Sequence, residues 1–297
     1  MRVVIAGSSG MIGTSLVAAL RGEGHEVLRL VRRTPKAPDE RGWNPPAGRL
    51  DEGALDGVGA VVNLCGAGVA DKRWNDARKQ VLRDSRNVPT EVLAAAVVEH
   101  GVPTLVNASA IGFYGDTGDD VVDETRGAGT GFLADLCREW EAATGVADQA
   151  PDVRVVKLRT GLVIAPAGGL FGRIKPLFSF FLGSRLGDGT QYMPWISLDD
   201  AISAIRFAVE HDSVKGPINV TAPSPVTNAE FTRTVGHVLH RPTPWVAPGF
   251  VLKAVLGELA EEGLLSGQRA VPKVLERNGF HFLHPALGAA VSAAVHG

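Results

Sequence analysis

The chain has 297 residues, 45% of them hydrophobic and 21% charged, with a formal net charge of -2. That balance describes an ordinary globular protein with ample core, and it argues against nucleic acid or an anionic membrane as partners attracted by bulk charge. Cys65 and Cys137 are the only cysteines, too few for a disulfide framework and without metal-ligand spacing, so no metal is expected. The apolar cluster Leu177 to Leu182 is too short to span a bilayer. Met1-Arg2 leads directly into a strand pattern, so the expectation is a cytoplasmic protein without a leader.

Val3 to Ile5 reads as a buried parallel strand, and Thr14 to Leu20 carries apolar residues at helical spacing. Between them lies Gly7-Ser8-Ser9-Gly10-Met11-Ile12-Gly13, with its glycines spaced G-x-x-G-x-x-G. Strand, glycine turn and helix in that order form the first unit of a dinucleotide-binding fold. Gly7 permits the sharp turn, Gly10 lets the backbone approach a pyrophosphate, and Gly13 lets the helix lie close to the strand. The helix N-terminus offers free N–H groups to the phosphates.

Glu26 to Val31 reads as the second strand, ending in Arg32-Arg33. An acid at this tip would accept hydrogen bonds from the ribose 2′-hydroxyl of NAD. Two guanidinium groups suit a 2′-phosphate instead, so NADP(H) is favoured over NAD(H).

Residues 35–57 look like a loop with a short strand at Gly42-Trp43-Asn44. Val58 to Leu64 gives another strand, whose end, Leu64-Cys65-Gly66, lets a flat cofactor lie against the backbone. Asp71 to Arg86 reads as a solvated basic helix face, with Lys72 and Arg73 near enough to the strand end to reach an anionic substrate. Val88 to His100 reads as a crossover helix, Thr104 to Ser109 as a strand, Phe132 to Gly145 as a helix, and Val153 to Leu158 as a strand. The alternation means a doubly wound parallel sheet. From Pro166 glycines break the regularity, until Trp195-Ile196-Ser197-Leu198-Asp199-Asp200 starts a helix through Val209 with Ser197 as N-cap. Ile218 to Val220 is a short strand, and Asn228 to the end reads as helical with a Pro-rich link at Arg241 to Pro248.

The expected fold class is therefore α/β, a Rossmann-type doubly wound parallel sheet with a smaller, mostly helical C-terminal substrate region. Residues 1–165, completed by about 195–222, form the NADP-binding part; 166–194 and 223–297 form the substrate region.

The chain resembles the extended short-chain dehydrogenase/reductase superfamily, the sugar-nucleotide epimerase and dehydratase group. The resemblance rests on Gly7, Gly10 and Gly13, on Asn63-Leu64-x-Gly66, on Ser109 before Tyr114-Gly115, and on Trp195 to Asp200. Ala70 to Trp74, Ser109 to Gly115, Phe132-Leu133-Ala134 with Trp140-Glu141, and Leu265 to Arg269 before Pro272-Lys273 resemble an atypical branch more narrowly. That branch is known as the epimerase family proteins and carries a C-terminal domain of unknown function. The resemblance implies NADP(H) binding, with Gly7 through Gly13, Arg32, Arg33, Leu64, Cys65, Gly66, Ala108, Ser109, Cys137, Gly161 and Leu162 around the cofactor. It also implies Arg185, Trp195, Arg269 and Lys273 as substrate groups, beside Lys72 and Arg73.

Typical members use a Tyr-x-x-x-Lys pair. Four residues beyond Tyr114 is Gly118, and four beyond Tyr192 is Ile196, so the pair is absent. Alignment through Trp140-Glu141 puts Leu133 and Cys137 in the two positions. Ser109 and Tyr114 remain as candidate catalytic hydroxyls. The leading expectation is an NADP-dependent oxidoreductase or epimerase, monomeric or homodimeric, acting on a small molecule, with an anionic one among the candidates. The rival is a catalytically silent NADP(H)-binding protein that reports redox state to a partner.

Overall fold

Alternating apolar residues at the start of the chain decide the architecture. In the computed structural model, which describes residues 1–296, Val3 and Ile5 enter the core on one face of a sheet and Val4 and Ala6 the core on the other. A strand apolar on both faces belongs inside a parallel sheet covered by helices on both sides. β1 (Arg2–Ala6) holds that place, followed by α1 (Met11–Gly22), β2 (Glu26–Val31), β3 (Glu40–Asn44), β4 (Arg49–Leu50) and β5 (Ala60–Asn63). Next come α2 (Asp76–Glu99), β6 (Thr104–Ala110), β7 (Val121–Val122), α3 (Phe132–Ala142), α4 (Gly145–Asp148), β8 (Arg154–Thr160) and β9 (Leu162–Ile164). The middle stretch adds α5 (Gly169–Ser179), β10 (Ser184–Leu186), β11 (Tyr192–Met193), β12 (Trp195–Ser197), α6 (Leu198–Glu210) and β13 (Gly216–Val220). The chain ends with β14 (Val226–Thr227), α7 (Asn228–Val238), β15 (Trp245–Ala247), α8 (Gly249–Leu256), α9 (Glu258–Gly263), β16 (Arg269–Ala270), α10 (Lys273–Arg277) and α11 (Leu287–His296).

The main sheet runs β13-β8-β6-β5-β1-β2-β3-β4. Its neighbours are parallel except for β3 with β4. The strand order reverses between β1 and β5, so the crevice beyond Ala6 and Asn63 is the topological switch point, where such folds take ligands. One face packs on α1 and α6 through Leu16, Leu20, Ala201 and Ile205. The other packs on α2 and α4 through Leu93, Ala94, Val97 and Ala147. The expected doubly wound sheet is what the chain forms.

Four local expectations are corrected. Residues 76–99 form one helix, because Asn75 caps its start by accepting from the Arg78 N–H at 2.8 Å and Pro89 is absorbed inside it. The 71–86 stretch is also not wholly solvated, since Arg86 is buried. The glycine-broken segment after Pro166 contains α5, which Phe171 and Phe178 anchor in a separate cluster with Trp195, Phe231 and Val291. The tail is not purely helical, because β15 and β16 pair with β10 and β7 far away in the sequence. Val274 and Leu275 of α10 join the sheet-side cluster rather than the α5–α7–α11 cluster. Ser197 caps α6 as expected, and the buried Asp200 carboxylate accepts from the backbone N–H groups of Leu283 and His284, tying the tail to that helix.

Candidate functional site

The turn after β1 is built by two glycines that cannot be replaced and one that can. Gly7 has φ +79°, and a Cβ there would stand 2.8 Å from the Leu64 carbonyl. A Cβ on Gly13 would fall inside contact distance of the Gly7 carbonyl oxygen, so α1 crosses the turn with no room for a side chain. Gly10 differs: a Cβ there would meet only the Gly7 oxygen, at an ordinary 3.5 Å. The space over Gly10 is open, and α1 begins there with no side-chain cap and no acid in its first turn. Bare N–H groups under an open face fit a pyrophosphate. Ser8 is buried, Ser9 is exposed, and Met11 and Ile12 are half-buried. The Met11 side chain lies against Gly168 and Gly169, so the start of α5 borders this cradle.

At the tip of β2 the two arginines separate. Arg33 donates to both oxygens of the buried Glu40, at 2.7 and 2.8 Å. Those bonds hold the Glu40 carboxyl well down, at about 2. Arg29 engages Asp39 at 2.7 and 2.9 Å. Arg32 is exposed, and its charge acts on the Cys65 thiol beyond the end of β5, on the far side of β1. Burial nevertheless pushes Cys65 up to about 12. Beneath this loop, Arg86 donates to the Leu82 and Ala67 carbonyls at 3.0 Å and stacks over Trp140, and burial lowers it to about 10. Gly66 runs close over that guanidinium.

The candidate catalytic hydroxyls turn inward. Ser109 Oγ donates to Glu141 Oε1 at 2.7 Å, and Tyr114 Oη donates to Asn219 Oδ1 at 2.9 Å. Between them Arg159 forms a two-pronged pair with Glu141, at 2.8 and 2.9 Å, and donates to Tyr114 Oη at 3.0 Å. All five side chains are at least nine-tenths buried. Burial raises the Tyr114 hydroxyl, away from the range a proton donor at neutral pH needs. The network continues through the Asn219 N–H to Glu124, whose carboxylate also accepts from the Val274 N–H. Ser109 and Tyr114 therefore brace β6, β8 and β13 rather than face a ligand. No clear signal for this stood in the sequence: Glu141 follows Arg138 and Glu139 on an amphipathic helix, and Arg159 follows Lys157 in a strand, so neither charge stands out as buried.

α3 carries Leu133 and Cys137 and, along its whole length, neither Tyr nor Lys. Cys137 is enclosed with Ile111, Phe113 and Tyr114, the small buried thiol the sequence suggests, and burial pushes it up to about 12. Gly161 is pressed against Pro194 and Thr221, while Leu162 opens β9 by donating its N–H to the Pro194 carbonyl. Ala108 is half-buried in a β6 that is otherwise buried as far as Ser109.

Beside Leu133 a cavity of about 250 Å³ is lined by Gly112, Gly115, Asp116, Thr130, Leu133, Ala134, Glu261, Glu262, Ser266 and Gln268. Glu262 closes the start of α3, accepting from the Phe132 and Leu133 N–H groups at 2.9 and 2.8 Å. None of the six expected substrate residues lines it. Trp195 is core, with Nε1 donating to the Ser224 carbonyl. Arg269 lies over Tyr192, and Lys273 pairs with Glu276. Arg185 lies along β10, and Lys72 and Arg73 are exposed, with Arg73 against Gly257. Among the described residues no group of three or more His, Cys, Asp or Glu could hold a metal, and no helix is long and apolar enough to cross a membrane.

Residues 3–221 match the model of the NAD dependent epimerase/dehydratase family. The chain belongs to that family. Residues 247–294 match a domain of unknown function. An epimerase family protein of Mycobacterium leprae is 56% identical over 292 residues, 98% of this chain and 95% of that one. The mouse epimerase family protein SDR39U1 is 34% identical, covering 99% and 100%. Among solved structures, human SDR39U1 (isoform 2) with NADPH superposes with a TM-score of 0.90 at 31% identity, covering 99% of both chains. A nucleoside-diphosphate sugar epimerase from Corynebacterium glutamicum gives 0.82 at 37% identity, covering 99% of this chain and 58% of that one.

Proposed function

We propose that the chain binds NADP(H) in the β1–α1 crevice and reduces a small neutral or cationic molecule in the cavity beside Gly112 and Leu133. The observation that carries the reading is the open face over Gly10 at an uncapped helix start, between two glycines whose side chains the fold forbids. The human relative solved with NADPH supports the phosphorylated cofactor. Arg32 is the group free to meet a 2′-phosphate, with Arg33 contributing less because Glu40 holds it. In this reading 166–194 and 223–297 serve as the substrate side.

When bound, the cofactor supplies a hydride at its nicotinamide. The residues of the chain hold the cofactor by backbone N–H groups at the α1 start and position the acceptor beside Leu133. With Ser109 and Tyr114 committed inward, the proton that completes a reduction comes from water. Asp116, Glu261 and Glu262 line the cavity with no Lys or Arg, which revises the anionic substrate to a neutral or cationic one.

The second reading, a silent redox reporter, draws on Leu133 and Cys137 in the dyad positions. A panel of aldehydes, ketones and imines scored by NADPH oxidation tests the choice. Turnover abolished by Gly10→Val supports the reductase. Tight NADPH binding with no turnover across the panel supports the reporter.

A further inference from the structure

Two segments that do not line the cavity beside Leu133 meet on the surface. Residues 170–185 and 240–256 contain Arg173, Lys175, Arg185, Arg241 and Lys253 and no Asp or Glu, on a chain whose net charge is -2. They also carry Leu177, Phe180, Phe181, Leu182, Trp245, Val246, Phe250, Val251 and Val255, each at least 41% exposed. The two segments are joined: β10 pairs with β15, Trp245 Nε1 donates to the Phe181 carbonyl at 2.9 Å, and the Arg241 guanidinium lies over the Phe181 ring. α8 continues directly from β15 and buries none of its residues, although its sequence, Gly-Phe-Val-Leu-Lys-Ala-Val-Leu, is apolar almost throughout. An apolar helix that buries nothing within its own chain is the mark of a surface with an occupant.

We propose that this face docks on an anionic phospholipid surface. Exposed Phe, Trp and Leu side chains interspersed with Lys and Arg are the composition of interfacial anchors, with the aromatic groups entering the headgroup boundary and the cations meeting lipid phosphates. Arg173 is paired with Asp71 and Lys253 with Glu261, whereas among the described residues Lys175 and Arg241 have no acid partner. A second copy docked by the same face would bring its own cations against these, so charge favours lipid over self-association. The bulk charge of -2 does not report this local balance, and the proposal departs from the expectation of no membrane partner. The proposal does not depend on the nucleotide reading.

The full chain is sedimented with vesicles of phosphatidylcholine alone and of phosphatidylcholine containing phosphatidylglycerol. Binding to the anionic vesicles, weakened by salt, is the expected result. Replacing both Lys175 and Arg241 with Ala should weaken it on the order of 30-fold, at about fivefold for each charge. Phe180→Ser with Phe250→Ser should abolish it, while thermal stability and any nucleotide-induced shift stay as in the parent, since both rings are exposed. Failure to sediment with anionic vesicles overturns the proposal. So does a concentration-dependent dimer that the Phe180→Ser/Phe250→Ser variant dissolves, because the face is then an interface between copies.

Discussion

The β1–α1 turn and the start of α3 lie at opposite ends of one supposed reaction site, and they have fared differently. At the turn the backbone geometry of a dinucleotide cradle is intact, with Gly10 facing open space. α3 carries neither Tyr nor Lys, and the nearby hydroxyls of Ser109 and Tyr114 serve a buried network. The two ends are separable because they answer to different physics. A phosphate cradle needs only bare N–H groups and room, whereas a proton relay needs a titratable group facing the ligand.

The comparison can be broken most severely inside the turn. Gly13→Val should cost about 3 kcal/mol or more, because its side chain must overlap the Gly7 carbonyl. Gly10→Val has room and should leave the melting temperature of the free protein almost unchanged while abolishing nucleotide binding. If both variants melt like the parent, the close crossing of α1 over the turn is wrong.

The α3 side breaks next. Arg159→Met leaves Glu141 as an unpaired buried charge and should cost about 3–5 kcal/mol by chemical denaturation. Tyr114→Phe strands the Asn219 oxygen and should cost about 1–3 kcal/mol, with NADPH affinity and any turnover retained. A large fall in turnover with stability intact would return Tyr114 to the chemistry.

At the β2 tip, Arg32→Ala should weaken NADPH by about 10–100-fold and NADH little, and Arg33→Ala should do less. The Arg33–Glu40 pair also has a pH signature. The folded carboxyl titrates at about 2, below its ordinary 4.5, so its contribution is present above pH 4.5 and is lost as pH falls toward 2. Arg33→Met should flatten stability across that window. The smallest effect is chemical: with both thiols pushed up to about 12, neither Cys65 nor Cys137 should alkylate appreciably at neutral pH while the fold holds.

Much of the fold was legible in the sequence because it is local. The Val3–Ile5 run, the glycine spacing and the Ser197 cap each act within one turn of chain. What escaped was non-local. Arg33 read as a phosphate ligand until Glu40, on the neighbouring strand, was seen to hold it. Ser109 and Tyr114 read as catalytic because strand-end position was visible and the partners Glu141, Arg159 and Asn219 were not. The cavity carboxylates Asp116 and Glu262 lie far apart in sequence and meet only in the fold. α5 was hidden by the glycines that open it, although Phe171 and Phe178 recur at helical spacing.

The central claim, that the cradle is intact while the proton relay is gone, is tested most directly by a thermal-shift titration with NADPH, NADP, NADH and NAD on the parent and Gly10→Val. A ligand at a hundred times its dissociation constant adds about 2.7 kcal/mol of stability, enough to raise the melting temperature by several degrees. The expected result is a shift with NADPH and NADP, little with NADH and NAD, and none in Gly10→Val. No shift with any nucleotide, or an equal shift in Gly10→Val, would contradict it.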